Sequence, residues 1–299
     1  MSSHSGSSSS RPSFWRAAAR RLVCLAATVL LAAFLAAALV RLAPGFGMDE
    51  RQLDARLSDS SIRAIQAQYG GDTGVVRYFW NYLSGLCRGE LGQSVSLGRP
   101  VRELIAGRLG VTLQSAAAGL AWAWIAAIAA ALSLGLLRRP VFDLAATALT
   151  GALLCLPAAV VGLFSFYLGA GPALAIGVIL LPRVFRYIRN TTGATAGLPH
   201  VLAASARGIG GLGLLARHVW LPAAPEIVAL GAVSVSMALG AAIPVEALCD
   251  SPGIGQLAWK AALGRDLPVL MNITILIATV TAVANLLADA ARSAFWTEA

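Results

Sequence analysis

The residues of this sequence that could do chemistry are few and poorly placed for it. The four cysteines stand at 24, 87, 155 and 249 and the three histidines at 4, 200 and 218. There is no Cys-x-x-Cys pair and no Cys/His spacing of the kind that holds zinc. No metal or cofactor is therefore expected on the chain. Lys260 is the only lysine and follows Trp259. A phosphate-cradling loop needs a lysine after a glycine-rich turn, so the chain does not hold ATP in that way. One stretch stands apart. "AASARGIGGLGLLARHVWLP", Ala203 to Pro222, has four glycines, two arginines and a histidine between two apolar segments. It is longer and more basic than a connection requires.

The elements that must position this stretch are membrane spans. The chain is 58% hydrophobic and 12% charged, with mean hydropathy +0.73, against about 25% charged residues in soluble domains. The Ser-rich opening "MSSHSGSSSSRPS" reads as a disordered tail. Leu22 to Val40 is nineteen residues without a charge, enough at about 1.5 Å per residue to cross about 30 Å of hydrocarbon. Basic residues ahead of such a run also suit a signal peptide. The run is too long for a typical signal core and "VRLAPGFG" is a poor cleavage site, so a retained helix is expected. Further apolar runs are Val111–Leu137, Leu144–Gly169, Ala173–Leu181 with an extension toward Ile188, Ile227–Val245 and Val269–Ala288. Pro182 interrupts the fourth, which is tolerated near a membrane helix end. Six spans predict an all-α polytopic protein with both termini on one side.

The formal net charge is +9, and the arginines cluster beside apolar spans. That placement suits orientation and contact with lipid headgroups rather than nucleic acid. With the N-terminus in the cytoplasm, the inner segments hold Arg16, Arg20, Arg21, Arg138, Arg139, Arg183, Arg186, Arg189, Arg207, Arg217 and Arg292, and few acids. The expected order is a cytoplasmic tail over 1–21, a first span over 22–40 and a periplasmic segment over 41–110. A five-helix core over 111–291 follows, with a cytoplasmic loop at 199–222 and a periplasmic loop at 247–267, and then a cytoplasmic tail over 292–299.

By this reading no charge sits in the middle of a span. Glu226, Glu246 and Asp289 lie near the ends, and Asn272 and Asn285 suit helix–helix hydrogen bonds better than ligand contacts. A carrier driven by protons or ions normally keeps a buried ionisable group, so that class is disfavoured. Energy for uphill movement would then come from a partner, through a cytoplasmic surface. Ala232, Ser236 and Gly240 recur every four residues, a stripe for close packing or for lining a path. In the opening stretch, residues 201–207 suit a short helix. Gly208, Gly210, Gly211 and Gly213 make its continuation costly, at up to about 1 kcal/mol each. A second helix fits from Leu212 to Trp220, before Leu221-Pro222 stops it. By its residues alone the pair could equally be an interfacial element resting on headgroups.

The stretch resembles the EAA loop of ABC importer permeases, in which Glu-Ala-Ala is followed by three residues, a glycine and a later hydrophobic-Leu-Pro. Leu202-Ala203-Ala204 occupies the first positions, with leucine for the usual glutamate. Gly208 matches the glycine and Leu221-Pro222 the ending. The resemblance implies a loop docked on an ATPase subunit, formed by Ala203, Ala204, Arg207, Gly208, Arg217, Leu221 and Pro222, with Gly208 at the bend. "EALCDSPGIGQLAWKAALGRDLPVLMNI", Glu246 to Ile273, is similar to the periplasmic loop and last-helix entry of the dipeptide, oligopeptide and nickel permeases. Glu246, Pro252, Gly253, Gly255, Arg265, Asp266 and Pro268 fall on its pattern, and Cys249 replaces an aromatic. "YFWNYLSGLCRGELGQSVSLGRPVRELIAGRLGVTL", Tyr78 to Leu113, is similar to the same permeases before their second helix. Gly169–Pro172 is shorter than the corresponding loop of many relatives.

The resemblance implies a type I ABC importer permease fold in the bacterial inner membrane, with no covalent chemistry on this chain. It implies a second homologous permease, two ABC ATPase subunits carrying ATP and magnesium, and a periplasmic or lipid-anchored substrate-binding protein. A peptide or a nickel-type chelate is the expected cargo. A stand-alone secondary carrier and a non-transporting anchor are the alternatives from other classes.

Overall fold

The computed structural model of the chain describes residues 14–42, 74–137 and 139–297. The Ser-rich tail, most of the segment between the first two apolar runs, Arg138 and the final residues lie outside these, as do the side chains of Arg16, Arg21 and Arg292. The described residues are helical, with one isolated antiparallel bridge between Gln93 and Pro100. The helices are α1 (Phe14–Leu42), α2 (Val75–Cys87), α3 (Val101–Leu137), α4 (Pro140–Leu154), α5 (Ala158–Tyr167), α6 (Gly171–Ala196), α7 (Pro199–Ala206), α8 (Gly211–Leu248), α9 (Ile254–Leu263) and α10 (Leu267–Thr297). Four are long and apolar enough to cross a membrane: α3, α6, α8 and α10 over Leu267–Ala290. The pair α4–α5 supplies a further, broken span, and Val23–Leu39 in α1 is a shorter apolar stretch. The fold of the described residues is all-α and polytopic.

Small residues bring the spans together. Gly119 on α3 faces Ala173 and Ile176 on α6, and a Cβ at Gly119 would lie 2.6 Å from the Ala173 carbonyl oxygen. Gly177 is pressed against Trp122 in the same way, at 2.7 Å. One pair of contacts leads to the next along both helices in the same direction. Ala127 and Ala131 meet Val184, Phe185 and Ile188 farther on, so α3 and α6 run parallel. The broken span between them returns the chain. On α8, Ala238, Ala241, Ala242 and Val245 close a core with Ala116, Ala175, Ile176 and Leu180. Where lipid is as apolar as leucine, such close contact replaces hydrophobic burial as the cohesive force.

Several expectations are corrected here. The apolar run Leu144–Gly169 is two helices bent by 93°. The cause is Pro157, the N-cap residue of α5; its ring cannot continue a helix from Leu156. The fourth span does not weaken at Pro182: α6 continues for 26 residues with Pro182 inside. Arg183 is thus halfway along a span-length helix rather than at a cytoplasmic end. The helix expected from Val111 begins at Val101, so the boundary drawn at 110 falls inside it. The segment 247–267 is not simply a loop, because it contains α9.

Candidate functional site

The glycine-broken stretch forms a turn between α7 and α8. Val201 and Ala204 on α7 bury against Leu214 and Val219. The helix ends with the Ile209 N–H donating to the Ala204 carbonyl at 3.2 Å and the Gly208 N–H to that of Ser205 at 3.0 Å. These are the two bonds of a Schellman end, which needs a left-handed residue at the first position past the cap. That residue is Gly208, with φ +84. A Cβ there would meet nothing within 4 Å, so backbone conformation, not space within the chain, calls for glycine. The turn exposes Leu202 (61%), Ile209 (40%) and Leu212 (60%) around it.

Of the residues singled out by sequence, Ala204 faces inward, while Ala203, Arg207, Gly208, Arg217, Leu221 and Pro222 are exposed. Leu221-Pro222 does not stop the second helix. A π turn over Leu215–Trp220 leads directly into the rest of α8, and the Leu221 N–H donates to the Ala216 carbonyl, five residues back. Proline lacks the donor that would have reached back four residues to His218. The His218 carbonyl oxygen is instead 3.0 Å from His200 Nε2, the donor in the matching tautomer. That contact ties α7 to α8. His200 was missed in the sequence; the only available signal was a proline four residues after His218.

Behind the turn lies a cavity of about 570 Å³, bounded by the end of α3, the start of α4, the far part of α6 and both arms of the turn. The Asp143 carboxylate accepts from Arg189 Nε at 2.6 Å and Nη2 at 2.5 Å, which fixes the start of α4 to α6.

The other end of α8 carries two buried carboxylates. Glu246 is fully buried in the last turn of the helix, not in a loop. Its Oε2 accepts from Thr112 Oγ1 at 3.0 Å and from the Gly255 N–H at 2.8 Å, and its Oε1 accepts from Ser115 Oγ at 3.1 Å. Thr112 Oγ1 in turn accepts from the Ile254 N–H at 2.7 Å. The expectation that buried ionisable groups are missing is therefore corrected. The buried carboxylate is tolerated because donors from two elements, α3 and α9, surround it. The Pro-Gly-x-Gly motif makes room for this. A Cβ at Gly253 would lie 2.6 Å from Thr112 Oγ1, and one at Gly255 would lie 2.5 Å from the Ala242 carbonyl oxygen. Pro252 remains exposed.

Asp266 is also fully buried. Its Oδ2 accepts from Ser94 Oγ at 2.5 Å, Ser96 Oγ at 2.8 Å and the Ser96 N–H at 3.0 Å. Its Oδ1 faces the Val269 N–H at 3.4 Å, where it caps α10. Pro268 falls in the first turn, where its missing donor has no intrahelical partner to lose. Arg265 turns the chain into this cap with φ +51. Asn272 Nδ2 donates to the carbonyls of Leu91 and Pro268. The two segments quoted for their likeness, 78–113 and 246–273, thus converge on one another through Ser94–Asp266 and Thr112–Glu246. Ser96 and Ser115 were not singled out by sequence. All four cysteines are free thiols, with Cys249 half-buried.

The family model described as binding-protein-dependent transport system inner membrane component matches residues 119–295. A protein of Brucella suis biovar 1 named as a peptide permease is 26% identical over 283 residues, covering 85% of this chain and 89% of that protein. The glutathione transport system permease proteins of Escherichia coli O6:H1 and Salmonella typhi are each 26% identical, over 290 and 289 residues, covering 90% of this chain and 94% of theirs.

Proposed function

Because the chain belongs to the binding-protein-dependent transport system inner membrane components, and is thereby the membrane permease subunit of an ABC importer, we propose that it imports peptides, as one of a pair of homologous permeases. ATPase and binding-protein partners follow from the family. The finer reading is two ATPase subunits that hold ATP and magnesium, and a periplasmic or lipid-anchored binding protein. The names of the Brucella, Escherichia and Salmonella relatives support peptide cargo over a metal chelate. Both termini and the α7–α8 turn face the cytoplasm, in keeping with the arginine distribution.

The turn at Gly208 carries this reading. A left-handed glycine ends α7 and exposes Leu202, Ile209 and Leu212 on a helix pair continuous with the 38-residue α8. An apolar tip on a lever of that length suits a socket on the ATPase. Closure of the ATPase on ATP would move α8, and with it Glu246 and the Pro-Gly-x-Gly segment at the outer end. The segment that the buried Glu246, Gly253, Gly255 and Asp266 hold in place, with Arg265 and the exposed Pro252 on it, then serves as the outer gate that faces the binding protein. No covalent step takes place on the permease.

In the test, cysteine replaces Leu212 in the assembled complex in intact cells, in a permease whose own four cysteines are alanine, because exposed Cys87 lies on the segment read as periplasmic. Cross-linking to the ATPase subunit, with no labelling by an impermeant maleimide from outside, is the expected result. Labelling from outside would overturn the orientation and the coupling role together.

A further inference from the structure

Arg183 is an exposed arginine halfway along the 26-residue helix α6. It makes no hydrogen bond or ion pair among the described residues. Its depth is set by its neighbours. It lines a cavity of about 340 Å³ together with Met237, Gly240 and Pro244 of α8 and Leu154 and Leu156 at the α4–α5 break. Met237 lies at the middle of the apolar run Ile227–Val245. Arg183 therefore sits near the middle of the membrane, one turn before Arg186 and two before Asn190, on a face that also holds Tyr187, all exposed. A guanidinium at that depth is expensive against lipid and is normally turned to water or a partner group. Headgroup phosphates lie too far away to meet it.

The cavity has the composition of a site rather than of a packing fault. Its lining is apolar except for Arg183, so one cation dominates the field inside. The span facing it is broken by the 93° bend, and a broken helix at membrane depth is tolerated where it lines a cavity. Gly240, the last member of the small-residue stripe, has nothing within 4 Å of an added Cβ. It leaves the cavity open rather than packing a neighbour.

We propose that this cavity is part of the translocation path and that Arg183 holds the carboxylate of the peptide cargo as it passes. The proposal rests on the importer reading above and adds to it a chemical requirement: cargo bearing an anion. The planar guanidinium offers a paired-donor geometry that matches a carboxylate. The apolar walls accept side chains of varied size, so the shared charge is what is recognised.

The experiment uses the assembled importer in proteoliposomes, with the four cysteines replaced by alanine and Met237→Cys introduced. The probes are a sulfonate-bearing methanethiosulfonate and its trimethylammonium counterpart. The expected result is that the introduced thiol reacts with the sulfonate faster than with the ammonium reagent by about fivefold or more. Arg183→Gln should abolish that preference and Arg183→Lys keep it. In the second arm, uptake of radiolabelled trialanine should fall about tenfold in Arg183→Gln, the loss of one charged hydrogen bond, and much less in Arg183→Lys. If neither reagent reaches the introduced thiol, the face is closed by lipid or the second permease and the proposal is overturned. Reaction without charge preference overturns it as well, since the path would then be wet but without an anion site. Charge preference with no trialanine uptake by the unaltered complex would overturn peptide cargo and leave the anion site standing.

Discussion

Placing a side chain at Gly208 probes the α7–α8 turn most directly. The residue sits at φ +84, and an added Cβ meets nothing within 4 Å. The penalty of a substitution in the free chain is therefore conformational alone. An L-residue held in the left-handed region costs about 1–2 kcal/mol, and asparagine less because its side chain bonds locally. A β-branched residue costs more. Alanine should thus shift the balance away from the Schellman-ended turn by about five- to thirty-fold, asparagine by less and valine by more. The spans should insert normally, because their burial lies far from the turn. Uptake and substrate-stimulated ATP hydrolysis by the reconstituted complex, at matched permease levels, should follow the order Gly, Asn, Ala, Val. Arg207→Ala should stay near the unaltered protein, since an exposed charge is worth at most about 1 kcal/mol. Full uptake by Gly208→Val would refute the coupling role. Equal loss with asparagine and alanine would refute the backbone argument and point instead to a partner surface pressed against the glycine.

Glu246→Ala strips the acceptor from the Gly255 N–H, while the Thr112 and Ser115 hydroxyls can turn elsewhere. One buried orphan donor costs about 1–3 kcal/mol, so the purified permease should melt at a lower temperature, and an unchanged melting curve would contradict the network. Gly253→Ala forces a methyl to 2.6 Å from Thr112 Oγ1 and should lower the melting temperature further, with Pro252→Ala, on an exposed residue, as the neutral control. Asp266→Ala removes the acceptor shared by Ser94 and Ser96 and uncaps α10. Hydrogen exchange should quicken over residues 94–99 and at the start of α10, and protection equal to the unaltered chain would show that the cap is dispensable. His200→Ala should speed exchange in α7 without affecting insertion, because it removes only the tie to the His218 carbonyl.

Much of this protein was legible along the chain. Apolar runs long enough to cross a bilayer are local features, and so are the arginines beside them, so the all-α spanning fold and the glycine-broken turn could be read without tertiary information. Gly208 is a case in point: four glycines in six residues announce a break, and a single break suffices for the left-handed end of α7. The places where the reading failed share a cause. Glu246 falls just past the apolar run Ile227–Val245, where hydropathy suggests water. It is buried only because Thr112 and Ser115, 134 and 131 residues away, are carried to it by α3. Asp266 depends in the same way on Ser94, 172 residues away. Arg183 looked like a helix-end arginine because Pro182 precedes it, yet the helix continues past both, with Val184, Phe185 and Ile188 packed against α3. Leu221-Pro222 looked like a stop until the π turn ahead of it rearranged the carbonyls that proline leaves free. Periodicity and composition act over one or two turns of helix and are written in neighbouring residues. Whether a charge is buried, capped or left facing a cavity depends on donors that the chain brings back from more than a hundred residues away, and only the folded arrangement supplies them.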